Sequence, residues 1–228
     1  MADAASTPSI YVLAGTNGAG KSSIAGAMFL AAGVEYFNPD QAARLVRARN
    51  PGATQAEANS AAWEQGKRLL ERAITERLTF AFETTLGGKT MTALLERAAA
   101  AGIEVRIWYV GLKTPELHLA RVRARVAKGG HDIPEAQVLA RYDSSRLNLI
   151  RLLPRLTELR VYDNSADADP RAGTAPEPEL LVHVVRGKVV RSCPLPRTPE
   201  WAKPILAAVL KASGPVKAPE HATVGPPR

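Results

Sequence analysis

The chain has 228 residues, 46% hydrophobic and 5% aromatic, with Lys+Arg 30 against Asp+Glu 22 for a formal charge of +8. This composition excludes a disordered acidic chain, a fibre and a disulfide-stapled miniprotein, and a chain of this length buries a core without staples. Cys193 has no cysteine partner, no run approaches 18 apolar residues, and Met1–Ser9 lacks the features of a signal peptide, so a cytoplasmic globular protein without a membrane segment is expected.

Short β-branched or aromatic runs alternate with longer stretches of helical period. Ser9–Ala14 reads as a buried strand stopped by Gly15, and Ser22–Ala32 as a helix closed by Gly33. Val34–Phe37 is a second strand, and Asn38-Pro39-Asp40 is a turn that opens a helix. Thr54–Leu78 predicts one long helix, Leu78–Phe82 a third strand, Met91–Ala101 a helix and Glu104–Val110 a fourth strand. Pro115–Lys128 and Pro134–Leu153 predict helices on either side of Gly129-Gly130, the second with Pro134 as its first residue, and Leu159–Tyr162 a fifth strand. Strands alternating with helices imply an α/β fold with right-handed crossovers and a mostly parallel sheet.

After Ala166 the pattern changes. Asp167–Glu179 reads as a loop, and Leu180–Arg186 with Val189–Ser192 as a hairpin turning at Gly187-Lys188. Trp201–Lys211 is a final helix, and Ala212–Arg228, with four prolines and two glycines, reads as a disordered tail. One domain over residues 1–211 is expected, with a hairpin–helix appendage at 180–211.

Gly15-Thr16-Asn17-Gly18-Ala19-Gly20-Lys21-Ser22 satisfies G-x-x-x-x-G-K-[ST] between a strand and a helix, the context a phosphate-binding P-loop requires. Its backbone N–H groups and the helix N-terminus cradle phosphate, Lys21 bridges the β- and γ-phosphates, Ser22 ligates Mg²⁺ and Ser23 is a weaker α-phosphate candidate. The spacing does not fit a dinucleotide fingerprint, so a nucleoside triphosphate is the expected ligand. A three-layer P-loop sandwich follows, with ATP and Mg²⁺ as cofactors.

Three acids fall at strand ends that share one crevice with the P-loop: Asp40, Glu83 and Asp163. A carboxylate there holds Mg²⁺ through water or accepts a hydroxyl proton. For Asp40 the competing reading is a helix cap, a role Asn38 would fill equally well. Glu83 ends an apolar strand beside Thr84 and Thr85.

The segment Arg121–Arg160 has eight Arg and one Lys against four acids, more than half of the net charge. Arg121, Arg125 and Lys128 recur at i, i+4 and i+7 as one basic stripe, while Leu119, Val122 and Val126 form an apolar one. With the Gly-Gly hinge and Arg141 beyond it, residues 121–141 have the makings of a lid that closes over phosphate. His131, between Gly130 and Asp132, reads as a hinge or helix-start residue and not as a catalytic base. The alternative is a nucleic-acid-directed ATPase or polynucleotide 5′-hydroxyl kinase using the basic segment 121–160. The segment's lone aromatic, Tyr142, makes nucleic acid the weaker reading. A regulatory GTPase would need an N-K-x-D motif, which the chain lacks.

Taken together, GTNGAGKSS (15–23), FNPDQAAR (37–44), FAFETTL (80–86), RVRARVAKGGHDIP (121–134) with Arg141, and VYDNS (161–165) resemble the zeta-toxin family of P-loop kinases, in a short form. The resemblance implies ATP-dependent phosphorylation of a small anionic hydroxylated metabolite; the best-known members act on UDP-N-acetylglucosamine, and an antitoxin partner is implied. By motif position it makes Asp40 the general base and assigns Lys21, Arg125 and Arg141 to the moving phosphoryl group. Asn38, Arg44, Glu83, Thr84, Thr85 and Arg121 would hold the acceptor, and Asp163 and Asn164 would lie near the nucleotide base.

Overall fold

The computed structural model describes residues 7–21, 24–25, 29, 36–130, 132–166 and 177–213. Seven strands form one sheet: β1 (Ser9–Ala14), β2 (Tyr36–Phe37), β3 (Phe80–Thr84), β4 (Glu104–Gly111), β5 (Glu158–Asp163), β6 (Glu179–Val185) and β7 (Lys188–Ser192), in spatial order β2-β3-β1-β4-β5-β6-β7. The first five are mutually parallel, and β6 and β7 add antiparallel. The C-terminal hairpin therefore continues the central sheet.

Lys21, Ile24, Ala25 and Phe29 lie on the helix that leaves the P-loop. The remaining helices are α1 (Pro39–Arg49), α2 (Gln55–Thr75), α3 (Lys89–Ala100), α4 (Pro115–Ala127), α5 (Glu135–Leu152) and α6 (Lys203–Ser213). Strand alternation sends β1 side chains to both faces. Ile10, Val12 and Ala14 join a core with α2, α3, α5 and α6 residues, among them Leu70, Leu95, Leu149 and Ile205. Leu13 joins Ala19, Ile24, Ala25 and Phe29 in a second core on the opposite face. Two cores flanking one sheet make the expected three-layer sandwich. Among the described residues no helix is long and apolar enough to cross a membrane.

Several boundaries differ from the sequence reading for local reasons. Helix α2 starts on a Thr54/Glu57 capping box and stops at Thr75, because Arg77 takes a positive φ of 54° and turns the chain toward β3; Leu78 lies outside the helix. Pro134 is the N-cap of α5 and not its first residue. The hairpin turns at Arg186-Gly187 and not at Gly187-Lys188: both have positive φ, 47° and 74°, the requirement of a type I′ turn, and Lys188 pairs with Val185. Trp201 precedes α6, buried against the carboxyl end of β4, where a Cβ on Gly111 would come within 2.4 Å of its ring. Gly33, Val34, His131, most of the 167–179 loop and the tail beyond Ser213 lie outside the described residues.

Candidate active site

The carboxyl ends of the parallel strands open into a cleft of about 1360 Å³. The P-loop forms its floor, packed too closely for side chains at key points. A Cβ on Gly15 would lie 2.1 Å from the Val110 carbonyl, and one on Gly20 2.3 Å from Asn164 Nδ2. Both glycines have positive φ, 143° and 83°, so backbone geometry and close approach agree. Asn164 is buried and donates from Nδ2 to the Ala19 carbonyl at 2.9 Å, holding the loop from below.

Lys21 is 7% exposed. Its Nζ donates to the Gly15 carbonyl at 2.7 Å and the Thr16 carbonyl at 3.4 Å, and lies 3.6 Å from Glu83 Oε1. Glu83 Oε2 accepts from Asn38 Nδ2 at 3.2 Å. Burial raises the Glu83 pKa, Lys21 pulls it back down, and the neighbouring Asp40 charge adds to the rise. A carboxylate, an ammonium and an amide thus form one chain from β3 across to α1.

The two readings of Asp40 separate here. Asn38 is the N-cap of α1: its Oδ1 accepts from the backbone N–H of Asp40 at 2.9 Å and of Gln41 at 3.2 Å. The Asp40 carboxylate is therefore not spent on capping. It accepts from Arg125 at 3.3 Å, with both side chains 37% exposed on the cleft wall. Arg141 reaches in from α5 and donates to Asn17 Oδ1 at 2.9 Å, and Thr16 donates to the Arg141 carbonyl at 3.3 Å. Arg121 donates to the Ala166 carbonyl at 3.3 Å and also lines the cleft.

Thr84 and Thr85 line the same cleft, on a turn fixed from α5. Ser145 donates to the Thr85 carbonyl at 2.6 Å and Asn148 to the Leu86 carbonyl at 2.8 Å, while Thr84 accepts from the Leu86 N–H at 3.1 Å. Arg44 lies exposed on α1 at the cleft's outer side. Asp163 and Asn164 diverge. The Asp163 carboxylate accepts from Ser165 at 2.5 Å and the Trp201 indole at 3.1 Å, whereas Asn164 faces the P-loop. Ser22 and Ser23 lie outside the described residues.

Sequence reasoning passed over His118, an α4 residue 1% exposed. Its Nδ1 carries a proton and donates to the Asn17 carbonyl at 2.8 Å, since a carbonyl can only accept. The Tyr142 ring packs edge-on against it at 5.5 Å. Burial pushes its pKa down to about 4 against the opposing pull of the Asn17 bond, so the ring is neutral near pH 7. Asn17 is thus gripped by His118 from α4 and by Arg141 from α5. One apolar-face histidine carries no sequence signal for that role. Ser145 and Asn148, three apart on α5, were equally silent.

The family model described as Zeta toxin matches residues 2–168, most of the chain. The chain belongs to the zeta toxin family. An uncharacterized protein of Haemophilus influenzae is 33% identical over 129 residues, 56% of this chain and 88% of that protein. Among solved structures, the AvrRxo1-ORF1:-ORF2 complex matches with a TM-score of 0.61 at 18% identity, over 89% of this chain and 64% of that one. The same complex with ATP gives 0.60 at 18% identity, over 93% and 66%. A structure from the PezAT chromosomal toxin–antitoxin system of Streptococcus pneumoniae gives 0.53 at 17%, over 76% of each chain. The chain spans less than two thirds of the AvrRxo1 chains it matches. At these identities the likeness shows the α/β fold alone.

Proposed function

We propose that this zeta toxin family member is an ATP-dependent kinase that transfers the γ-phosphoryl group to a hydroxyl of an anionic, sugar-like acceptor. The observation that carries the reading is the convergence of Asp40 with Lys21, Arg125 and Arg141 around one cleft above a P-loop. Phosphoryl transfer needs positioned charge and a base more than covalent chemistry. Lys21 neutralises the β- and γ-phosphates, and Arg125 and Arg141 the transferring group. Asp40 accepts the acceptor proton, which requires Arg125 to turn from Asp40 toward the phosphate. Asn38, Glu83, Thr84, Thr85, Arg44 and Arg121 orient the acceptor, and Asn164 supports the nucleotide end with Asp163 beside it.

Magnesium fits the chemistry of this cleft, since it takes phosphate oxygens, waters and one or two hard oxygen donors, and Glu83 together with Ser22, the residue after Lys21 in the sequence, would hold it. When bound it offsets charge on the β- and γ-phosphates. Residues 121–141 act as the lid within one kinase domain over 1–211. UDP-N-acetylglucosamine is the first acceptor to test, the cytoplasm the working compartment, and an antitoxin of the kind in the PezAT system the proposed protein partner.

The experiment is a screen for transfer of labelled γ-phosphate from ATP to metabolites, nucleoside diphosphate sugars first. Lys21→Ala should abolish transfer and weaken nucleotide binding, while Asp40→Asn should abolish transfer and keep nucleotide binding. An active Asp40→Asn enzyme would remove Asp40 as the base, and transfer confined to oligonucleotide 5′-hydroxyls would replace the metabolite reading.

A further inference from the structure

One face of α5 touches both halves of the cleft. Arg141, Ser145 and Asn148 recur on it at i, i+4 and i+7. Arg141 holds the P-loop twice, through its donation to Asn17 and through its own carbonyl, which accepts from Thr16. Ser145 and Asn148 hold the turn between β3 and α3, and both donate to backbone carbonyls, those of Thr85 and Leu86. Bonds to the backbone fix the path of the chain, where a side-chain contact would fix only a rotamer. Gly87 closes the arrangement. A Cβ there would lie 2.8 Å from Arg141 Cγ, so the turn packs on the stem of the arginine that reaches the P-loop.

The turn is strained and its bonds are directional. Leu86 is fully buried with a φ of 54°, in the left-handed region that a side chain disfavours. Such a residue persists only where its surroundings over-determine it, and here Asn148 on its carbonyl and Thr84 on its N–H do so. Ser145 is also fully buried. The Thr85 carbonyl can only accept, so the Ser145 hydroxyl donates to it, and Tyr109 must then donate to Ser145 at 3.0 Å. Burial pushes the Tyr109 phenol up to about 12, so it keeps that proton.

We propose that Ser145 and Asn148 are positioning residues that couple nucleotide occupancy of the P-loop to the placement of Thr84 and Thr85. The inference rests on the kinase reading, in which Arg141 leaves Asn17 for the transferring phosphoryl group and the two threonines orient the acceptor. When Arg141 changes partner, the turn of α5 that carries it shifts. Ser145 and Asn148 stand one and two turns further on, roughly 6 and 10 Å along the axis, and pass the shift to the backbone of the β3–α3 turn. Relaxing Leu86 from the left-handed region gives that turn its second arrangement. The acceptor side of the cleft is then completed only with ATP in place, which keeps the γ-phosphoryl group from premature transfer to water. By linkage, a bound acceptor tightens the nucleotide by the same factor.

The test is amide hydrogen exchange of the full chain, with and without Mg²⁺ and a non-hydrolysable ATP analogue as the probe. The analogue should slow exchange in residues 15–21 and also in residues 85–88, the latter by about fivefold or more, the low end of usual coupling between sites. Ser145→Ala and Asn148→Ala should each keep analogue affinity and the protection of 15–21, but lose the nucleotide-dependent change at 85–88. A merely structural role would speed exchange at 85–88 in both states and leave the ratio between them intact. Asn148 is only half-buried, so its variant carries the test if Ser145→Ala loosens the core. An undiminished change at 85–88 in the variants would show direct contact with the nucleotide and overturn the proposal. Protection of 15–21 alone in the wild type would overturn it too and leave the kinase reading standing. An analogue that protects neither segment would sink the kinase reading and the coupling together.

Discussion

His118 couples solution pH to the stability of the P-loop, and the size of the coupling follows from its burial. Its folded pKa is about 4, against an ordinary value of 6.5 in the unfolded chain. Between these values the unfolded state binds the extra proton and the folded state does not, so stability rises with pH across the window and is lost as pH falls. Integrating that difference from pH 7 to pH 5 gives a loss of about 2 kcal/mol from this one ring, approaching about 3 kcal/mol below pH 4. The ring is 1% exposed, so solvent screening takes little away. His118→Asn keeps a donor near the position of Nδ1, and with it the bond to the Asn17 carbonyl, but cannot take up a proton. Urea unfolding of both proteins at pH 7 and pH 5 isolates the ring, because every other titrating group is common to the two. The wild type should lose about 2 kcal/mol more than the variant over that interval. Equal losses would refute the reasoning and show that the ring is hydrated or charged in the folded protein.

Two further substitutions test how the site is held. Asn38→Ala removes the cap of α1 and the donor to Glu83 together, and should cost about 2 kcal/mol in urea unfolding while raising the KM for the acceptor more than that for ATP. Gly111→Ala drives a methyl to within 2.4 Å of the Trp201 ring and should cost about 1–3 kcal/mol, with a shift in tryptophan fluorescence reporting the displaced indole.

The α/β order and the P-loop were legible because each rests on a local pattern: strand runs against helical period, and a glycine spacing with lysine at a strand–helix junction. The resolution of Asp40 was not. Whether Asn38 or Asp40 caps α1 depends on which side-chain oxygen meets the first N–H groups, and only the backbone angles at Asn38 settle that. The role of the hairpin was equally hidden. Leu180–Arg186 reads as a local pair with Val189–Ser192, but the other edge of β6 pairs along β5, a non-local contact that no turn signal encodes. Asp163 and Asn164 show the same limit at single-residue scale: adjacent on the chain, they meet Trp201 and the P-loop respectively.

The basic segment shows how a charge excess divides by helical phase. Arg121 and Arg125 on α4 and Lys128 at its C-cap line the cleft, and Arg141 reaches the P-loop from α5. The out-of-phase arginines are used elsewhere. Arg123 pairs with Glu135 at 3.0 Å, Arg151 with Glu96 at 2.9 Å and Arg160 with Glu158 at 2.8 Å. Arg146 pairs with Asp143 and lies over the Tyr142 ring at 4.3 Å. Those partners come from α3, α5 and β5, so these four arginines are paired with acids away from the cleft. A polynucleotide would need the charge spread along an open face. Here Arg121, Arg125, Lys128 and Arg141 are gathered on one cleft with Asp40 and the P-loop, the placement the proposed kinase reading requires.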